Sequence, residues 1–361
     1  MRNKAIDTVG GIMILFMILR HSLVDTVKDT IFGGVIAYYP LLFFMAWFFF
    51  KGGMYYREES LATCISKGIT RLLVPYAVFS VIAVIVAMIV RGCLSGVSGV
   101  LDTLYKIPVY LKREGAVECN APLWFLLSFF LTRVFFTFSR KIHVPAWCVS
   151  VCSGLAAWGL CRAQLPVGLY FGNIAMGLCL FSVGYELKDL QYRNAWLIPS
   201  AVLYVGYLDY CCCTRSVVGI FNNNLHIPFV PTAIYSIAGC ILINNLFTRI
   251  PKLPGGFLAE IGYNSMLYYV LHFLIISPAL DINHAVFHWS DVTMSWLIVL
   301  LEIALLPLLV RLFKSPKCQW MVGKGKPLSA GIFQNQAVAY AFTVACMVVM
   351  SSYVIFKAVV R

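Results

Sequence analysis

Residues 5–23, AIDTVGGIMILFMILRHSL, are an apolar run that ends in two ionisable side chains, Arg20 and His21. At 1.5 Å of rise per residue such a run covers ~28 Å as a helix, close to the ~30 Å hydrocarbon core of a bilayer. It therefore reads as a membrane-spanning helix. No small-residue cleavage pattern follows it, so a retained helix is expected and not a removed signal peptide. What an arginine and a histidine do at its end is the question the rest of the chain must answer.

The same pattern recurs. The chain is 61% hydrophobic and 12% charged with a mean hydropathy of +0.84, against roughly 25% charged residues in a soluble domain. About eleven apolar runs are long enough to cross, at 5–24, 34–50, 72–90, 122–139, 144–161, 167–186, 195–213, 229–247, 260–279, 293–312 and 334–356. The runs are continuous and lack the alternation of a barrel strand, so helices are expected to satisfy the backbone in lipid. The predicted fold is all-α, a polytopic bundle of about 10–11 transmembrane helices filling residues 1–361 as a single membrane domain. No internal repeat of the transporter kind is evident.

The net charge of +13 reads as topology. With the spans taken in turn, 17 basic residues fall on the side of the N-terminus and 9 on the other, 4 of those in the long 91–121 connection. The positive-inside rule then places the N-terminus in the cytosol and the C-terminus outside. No nucleic-acid partner follows from this charge. The 13 cysteines lie mostly in apolar spans without a CxxC pair, as small buried hydrophobes do. His284 and His288 with Asp281 and Asp291 make a His-x3-His pattern in a connection, which suits zinc only on a helix with further ligands. No metal is expected.

Ionisable groups inside a bilayer cost several kcal/mol on insertion scales and are the first functional candidates. They are Asp7, Arg20, His21, Arg133, Glu186, Asp209, Glu260, His272 and Glu302. Most stand near helix ends, where water reaches them. Glu302 lies mid-span and reads equally as an interhelical pair. On the first helix Asp7, Ile14 and His21 share a stripe with Gly10 about 20° away, so this face is expected to point at protein. Imidazole is the side chain best suited to accept a proton near neutral pH.

These residues also carry a resemblance. IDTVGGIMILFMILRHS resembles the first helix of the membrane acyltransferase 3 family, with its Asp, glycine, aliphatic run and His in that order. PLLFFMAWFFFKGG (40–53) is similar to the family's aromatic second helix, RLLVPY (71–76) to the opening of the third, PLWFLLSFF (122–130) to its Leu-Trp-Phe-Leu motif, and IGYNSMLYYVLHF (261–273) to a late helix with Asn-Ser, Tyr and a terminal His. The five motifs cover about residues 3–313 and leave an additional C-terminal helix at about 334–356. The chain departs from the pattern twice. Gly10 stands where the family has Arg or Lys, and Ala46 and Trp47 stand where it has Ser-Gly.

The resemblance implies transfer of an acyl group, usually acetyl, from acyl-CoA to a hydroxyl of a cell-surface polysaccharide or lipid-linked sugar, in a bacterial plasma membrane. It makes His21 the general base, with Asp7 on the same stripe as the second catalytic candidate. Arg71, Lys51, Arg57 and Lys67 are expected to meet the donor's phosphates, since basic groups bind such anions. Arg20, Trp124, Asn264, Ser265, Tyr269 and His272 are expected around the acceptor, Trp124 serving equally as packing. Acyl-CoA, a glycan or glycolipid and membrane lipids are the expected partners. The competing readings are a transporter of acyl groups or lipid-linked sugars, and a family member that has lost catalysis through Gly10 and serves as a sensor or partner subunit.

Overall fold

The computed structural model describes residues 3–23, 41–165, 171–190, 192–214, 228–249, 255–324 and 335–359. The described residues are 86% helical, with no strand among them. Eight of the helical stretches described are long and apolar enough to cross a membrane. The expected all-α membrane bundle is what forms. Residues 34–40 of the second apolar run and most of the 214–228 connection lie outside the described residues.

Helix α1 (Lys4–Ser22) begins where Asn3 turns its side-chain oxygen to the main-chain N–H of Ala5 at 3.0 Å and of Ile6 at 3.4 Å, satisfying donors that a helix start leaves without partners. Asp7 in its first turn and Arg20 and His21 in its last follow the helix dipole. The chain continues through α2 (Phe44–Met54) and the amphipathic α3 (Leu61–Gly68), capped by Ser60 on Thr63 N at 3.1 Å. A π-helical turn at Ile69–Leu73 leads into α4 (Val74–Ser95).

Residues 91–121, expected as a connection, are ordered differently. Gly96, at φ +65°, reverses the chain into α5 (Val97–Glu114). This helix packs back along α4 through Gly99 and Thr103, while Val97, Leu101, Leu104 and Tyr105 stay exposed. Tyr76 Oη donates to the Gly115 carbonyl at 2.9 Å and ties its far end down. A buried turn, Glu118–Leu123, then enters α6 (Trp124–Lys141). Charges at Asp102, Lys106, Lys112 and Arg113 interrupt the hydropathy, which is why this helix did not register as an apolar run.

The remaining helices are α7 (Ala146–Ala163), α8 (Phe171–Glu186), α9 (Leu197–Thr214), α10 (Phe229–Arg249), α11 (Gly255–Tyr263), α12 (Ser265–Leu271), α13 (Phe273–Ile282), α14 (Asp291–Phe313) and α15 (Gln336–Val359). The most extensive contacts join α1 to α11, α7 to α8 and α2 to α8. Lipid offers no hydrophobic drive between helices, so close backbone approach must supply the attraction. A Cβ at Gly262 would fall 1.8 Å from the Asp7 carbonyl oxygen, and one at Gly11 would fall 2.1 Å from that of Leu258. These two glycines let α1 and α11 meet main chain to main chain, and so fix the height at which His21 stands.

Candidate active site

A cavity of about 310 Å³ opens between α1, α2, α6 and α12. Its walls are mostly apolar, from Ile14, Met45, Phe48, Phe125 and Phe129, with Lys51, Tyr55, Ser265 and Tyr269 as the polar members. Aromatic rings interlock around it. Phe125 stands edge-on to Tyr269 at 5.7 Å and stacks on Phe129 at 5.3 Å.

At the Tyr269 end the two histidines meet. The His21 and His272 rings lie 5.4 Å apart, centre to centre, and Tyr269 is 6.2 Å from His272. The cavity lining itself stops at Tyr269 and does not include either imidazole. His21 is half-buried and His272 fully buried. Phe273 packs against both rings, at 5.8 and 5.9 Å.

The local backbone explains how His272 is held. The helix breaks at this residue, between α12 and α13, inside one apolar span. His272 itself keeps helical dihedrals, φ −57° and ψ −42°. The carbonyls just before the break take side-chain donors. His272 Nδ1 donates to Tyr269 O at 2.7 Å, and Asn120 Nδ2 donates to Val270 O at 3.1 Å. With its proton on Nδ1, His272 presents Nε2 as an acceptor. Asn120 was not legible as a site residue. It is fully buried at φ −149°, ψ 60°, and its contact to α12 depends on a turn that the apolar pattern does not reveal.

The other candidates separate into groups. Ser265 joins Lys51 and Tyr269 on the cavity wall, while Asn264, just before it, is buried and donates through Nδ2 to the Glu260 carbonyl at 2.8 Å. Asp7 stands by the cavity's other end, where Tyr55 has its phenol pushed up by burial and, second, by the Asp7 charge. Arg20 lies over the Phe44 ring at 5.9 Å. Trp124 is buried edge-on to Phe125 at 6.1 Å, a packing role. Lys67 pairs with Glu59 at 2.7 Å, and the same carboxylate takes Arg133 at 2.9 Å. Arg57 and Arg71 are exposed and do not line the cavity. Of the four basic residues expected at the donor, Lys51 alone reaches its wall.

The His-x3-His pattern does not assemble. Asp281 is held by Arg91 at 2.9 Å, and no group of three or more His, Cys, Asp or Glu placed to hold a metal occurs among the described residues.

Beside His21, Ser22 Oγ donates to the buried carboxyl of Glu302 on α14. This is the interhelical pair that the mid-span position of Glu302 allowed. Removing one partner of a buried hydrogen bond leaves the other desolvated, at a cost of about 1–3 kcal/mol. Ser22→Ala should therefore lower the thermal stability of the detergent-purified protein, and adding Glu302→Leu should restore most of the loss. A Ser22→Ala protein that melts at the wild-type temperature would show that the pair contributes nothing to stability.

The two departures from the expected motif meet in space. A Cβ at Gly10 would lie 3.4 Å from the Trp47 ring and 3.4 Å from Lys51 Nζ. Trp47 is fully buried, donates through Nε1 to Asn244 Oδ1 at 2.9 Å, and carries the Lys51 ammonium 4.9 Å from its ring centre. A bulky ring on α2 thus fills space beside α1 that the bare Gly10 leaves open.

The model of the acyltransferase domain family, Acyl_transf_3, matches residues 3–311. No curated protein and no solved structure matches the chain. A family match over most of the sequence, on a helical bundle that brings the first-helix histidine to the late-helix histidine at the end of a cavity, makes the assignment: the chain belongs to the acyltransferase 3 family of membrane acyltransferases.

Proposed function

We propose that the protein is an O-acyltransferase of the bacterial plasma membrane, moving an acyl group, most simply acetyl, from acyl-CoA to a hydroxyl of a cell-surface polysaccharide or lipid-linked sugar. The observation that carries the reading is the meeting of His21 and His272 beyond Tyr269, at one end of a largely apolar cavity. Such walls suit a pantetheine arm and an acyl chain.

In this reading His21 takes the proton of the acceptor hydroxyl as its oxygen attacks the thioester carbonyl. The tetrahedral intermediate collapses with cleavage of the C–S bond, and the departing CoA thiolate takes the proton back from the His21 imidazolium. Proton transfer from a positioned base is worth about 10²–10⁴ in rate. Tyr269, Ser265 and His272 contact the substrates, with His272 held in one tautomer by the Tyr269 carbonyl. Asp7 acts at the opposite end of α1, and Arg71 and Arg57 offer cationic charge to the nucleotide at the cytosolic surface. The N-terminus is in the cytosol, the C-terminus is outside, and the cavity carries the acyl group toward an external acceptor.

The test is sidedness in oriented proteoliposomes. Acyl-CoA supplied on the N-terminal face, with lipid-linked oligosaccharides and polysaccharide fragments placed on either face, should yield ester on acceptors at the opposite face. Ester formed only on the face that holds the donor would overturn the path across the membrane. Ester on none of the acceptors would overturn the glycan reading.

A further inference from the structure

The ammonium of Lys51 is a cation on the wall of a cavity whose other sides are nearly all apolar. It sits over Trp47 and against the bare main chain of α1 at Gly10, where a Cβ would be 3.4 Å away. Position 10 thus adds no side chain, and α2 brings the Lys51 ammonium to this level of the cavity. From Gly10 to His21 is eleven residues of one unbroken helix, or ~16.5 Å of rise. The arm of CoA from its sulfur to its first phosphorus runs over about thirteen bonds, two of them amide C–N bonds, and spans ~16 Å when extended at ordinary bond lengths. The two lengths match.

We infer that Lys51 binds the 4′-phosphate of the phosphopantetheine arm while His21 faces the thioester at the arm's other end, so that α1 gauges the donor between a cation and a base. The inference rests on the acyl-CoA reading above. The cation arrives from α2 beside Gly10, and Trp47, pinned to Asn244, supports it from beneath. Low surrounding polarity strengthens a charge-assisted bond to phosphate. Lys51 is a binding residue for the donor in this scheme and takes no proton from the acceptor.

The experiment compares three donors, acetyl-CoA, acetyl-4′-phosphopantetheine and acetyl-pantetheine, on purified wild-type, Lys51→Met and Lys51→Met/Gly10→Lys proteins, reading kcat and KM for thiol release. Wild type should favour the two phosphorylated donors over acetyl-pantetheine. Lys51→Met should raise KM for those two by about tenfold to a hundredfold and leave acetyl-pantetheine unchanged. A merely structural lysine would shift all three alike. Gly10→Lys should return part of the lost preference, since it carries a cation to the same place from the facing helix. Turnover in wild type together with a Lys51→Met protein that keeps its preference for phosphorylated donors, or loses affinity for all three donors equally, would overturn the inference alone. No turnover of any thioester by folded wild-type protein would overturn the acyl-CoA reading and the inference with it.

Discussion

The His21→Ala protein should insert and purify like wild type yet release CoA from acyl-CoA at least about 10²-fold more slowly, with its KM for the donor little changed. The geometry explains the split. His21 stands in the last turn of α1, half-buried, while the packing of α1 on α11 runs through Gly11 and Gly262, some three turns away toward the N-terminus. Its loss would remove the proposed proton acceptor without disturbing that contact. His272→Ala separates the two imidazoles. If His272 holds substrate in place of removing the proton, its loss should raise KM as well as lower kcat. Full turnover by His21→Ala with none by His272→Ala would move the base to His272, whose Nε2 is oriented as an acceptor by the Nδ1 bond to Tyr269.

The second large effect lies away from the chemistry. Gly262→Ala would place a methyl 1.8 Å from the Asp7 carbonyl oxygen, a backbone atom that cannot swing aside. Helices α1 and α11 would have to separate, and overpacking of this kind costs about 1–3 kcal/mol or more. The substituted protein should melt lower in detergent and lose activity through displacement of His21. Gly206→Ala on α9, where a Cβ meets nothing within 4 Å, is the matched control and should be neutral or slightly stabilising. Equal melting temperatures for wild type and Gly262→Ala would contradict the close approach.

Much of this was legible in the residues, because each piece depends on local pattern. Apolar runs of bilayer length announced the helices, and ordered motifs announced the family. His21 and His272 were both readable as candidates, since an imidazole in an apolar helix is unusual. What the residues could not show was anything set by packing between distant segments. Lys51 reads as one basic residue among several at a membrane face, and its place on the cavity wall, over Trp47 and beside Gly10, is set by the packing of α2 on α1. Lys67 looked equivalent, but it pairs with Glu59 and does not line the cavity. The Ser22–Glu302 pair and the Asn120 hold on Val270 join helices far apart in the chain, and no spacing rule points to either. Helix α5 escaped notice because it presents a buried face, an exposed apolar face and charges together, which averages to low hydropathy.

The packing of Gly10 against Trp47 and Lys51 bears on whether this chain works at all. Read alone, Gly10 suggests a lost cation and a degenerate enzyme. In the structure the Lys51 ammonium is 3.4 Å from where a Gly10 side chain would start, so another helix brings a lysine to this level of α1. An active enzyme is the reading this geometry favours.

The most direct test is thioester turnover by the wild-type protein. Purified protein in lipid nanodiscs, given acetyl-CoA labelled in its acetyl group and a glycan acceptor that becomes esterified, should release one free thiol for each acetyl ester formed. Stoichiometric thiol and ester, both absent without protein, is the result predicted for a membrane O-acyltransferase. Folded protein that produces neither, with intact donor and the full range of acceptors, would contradict the account.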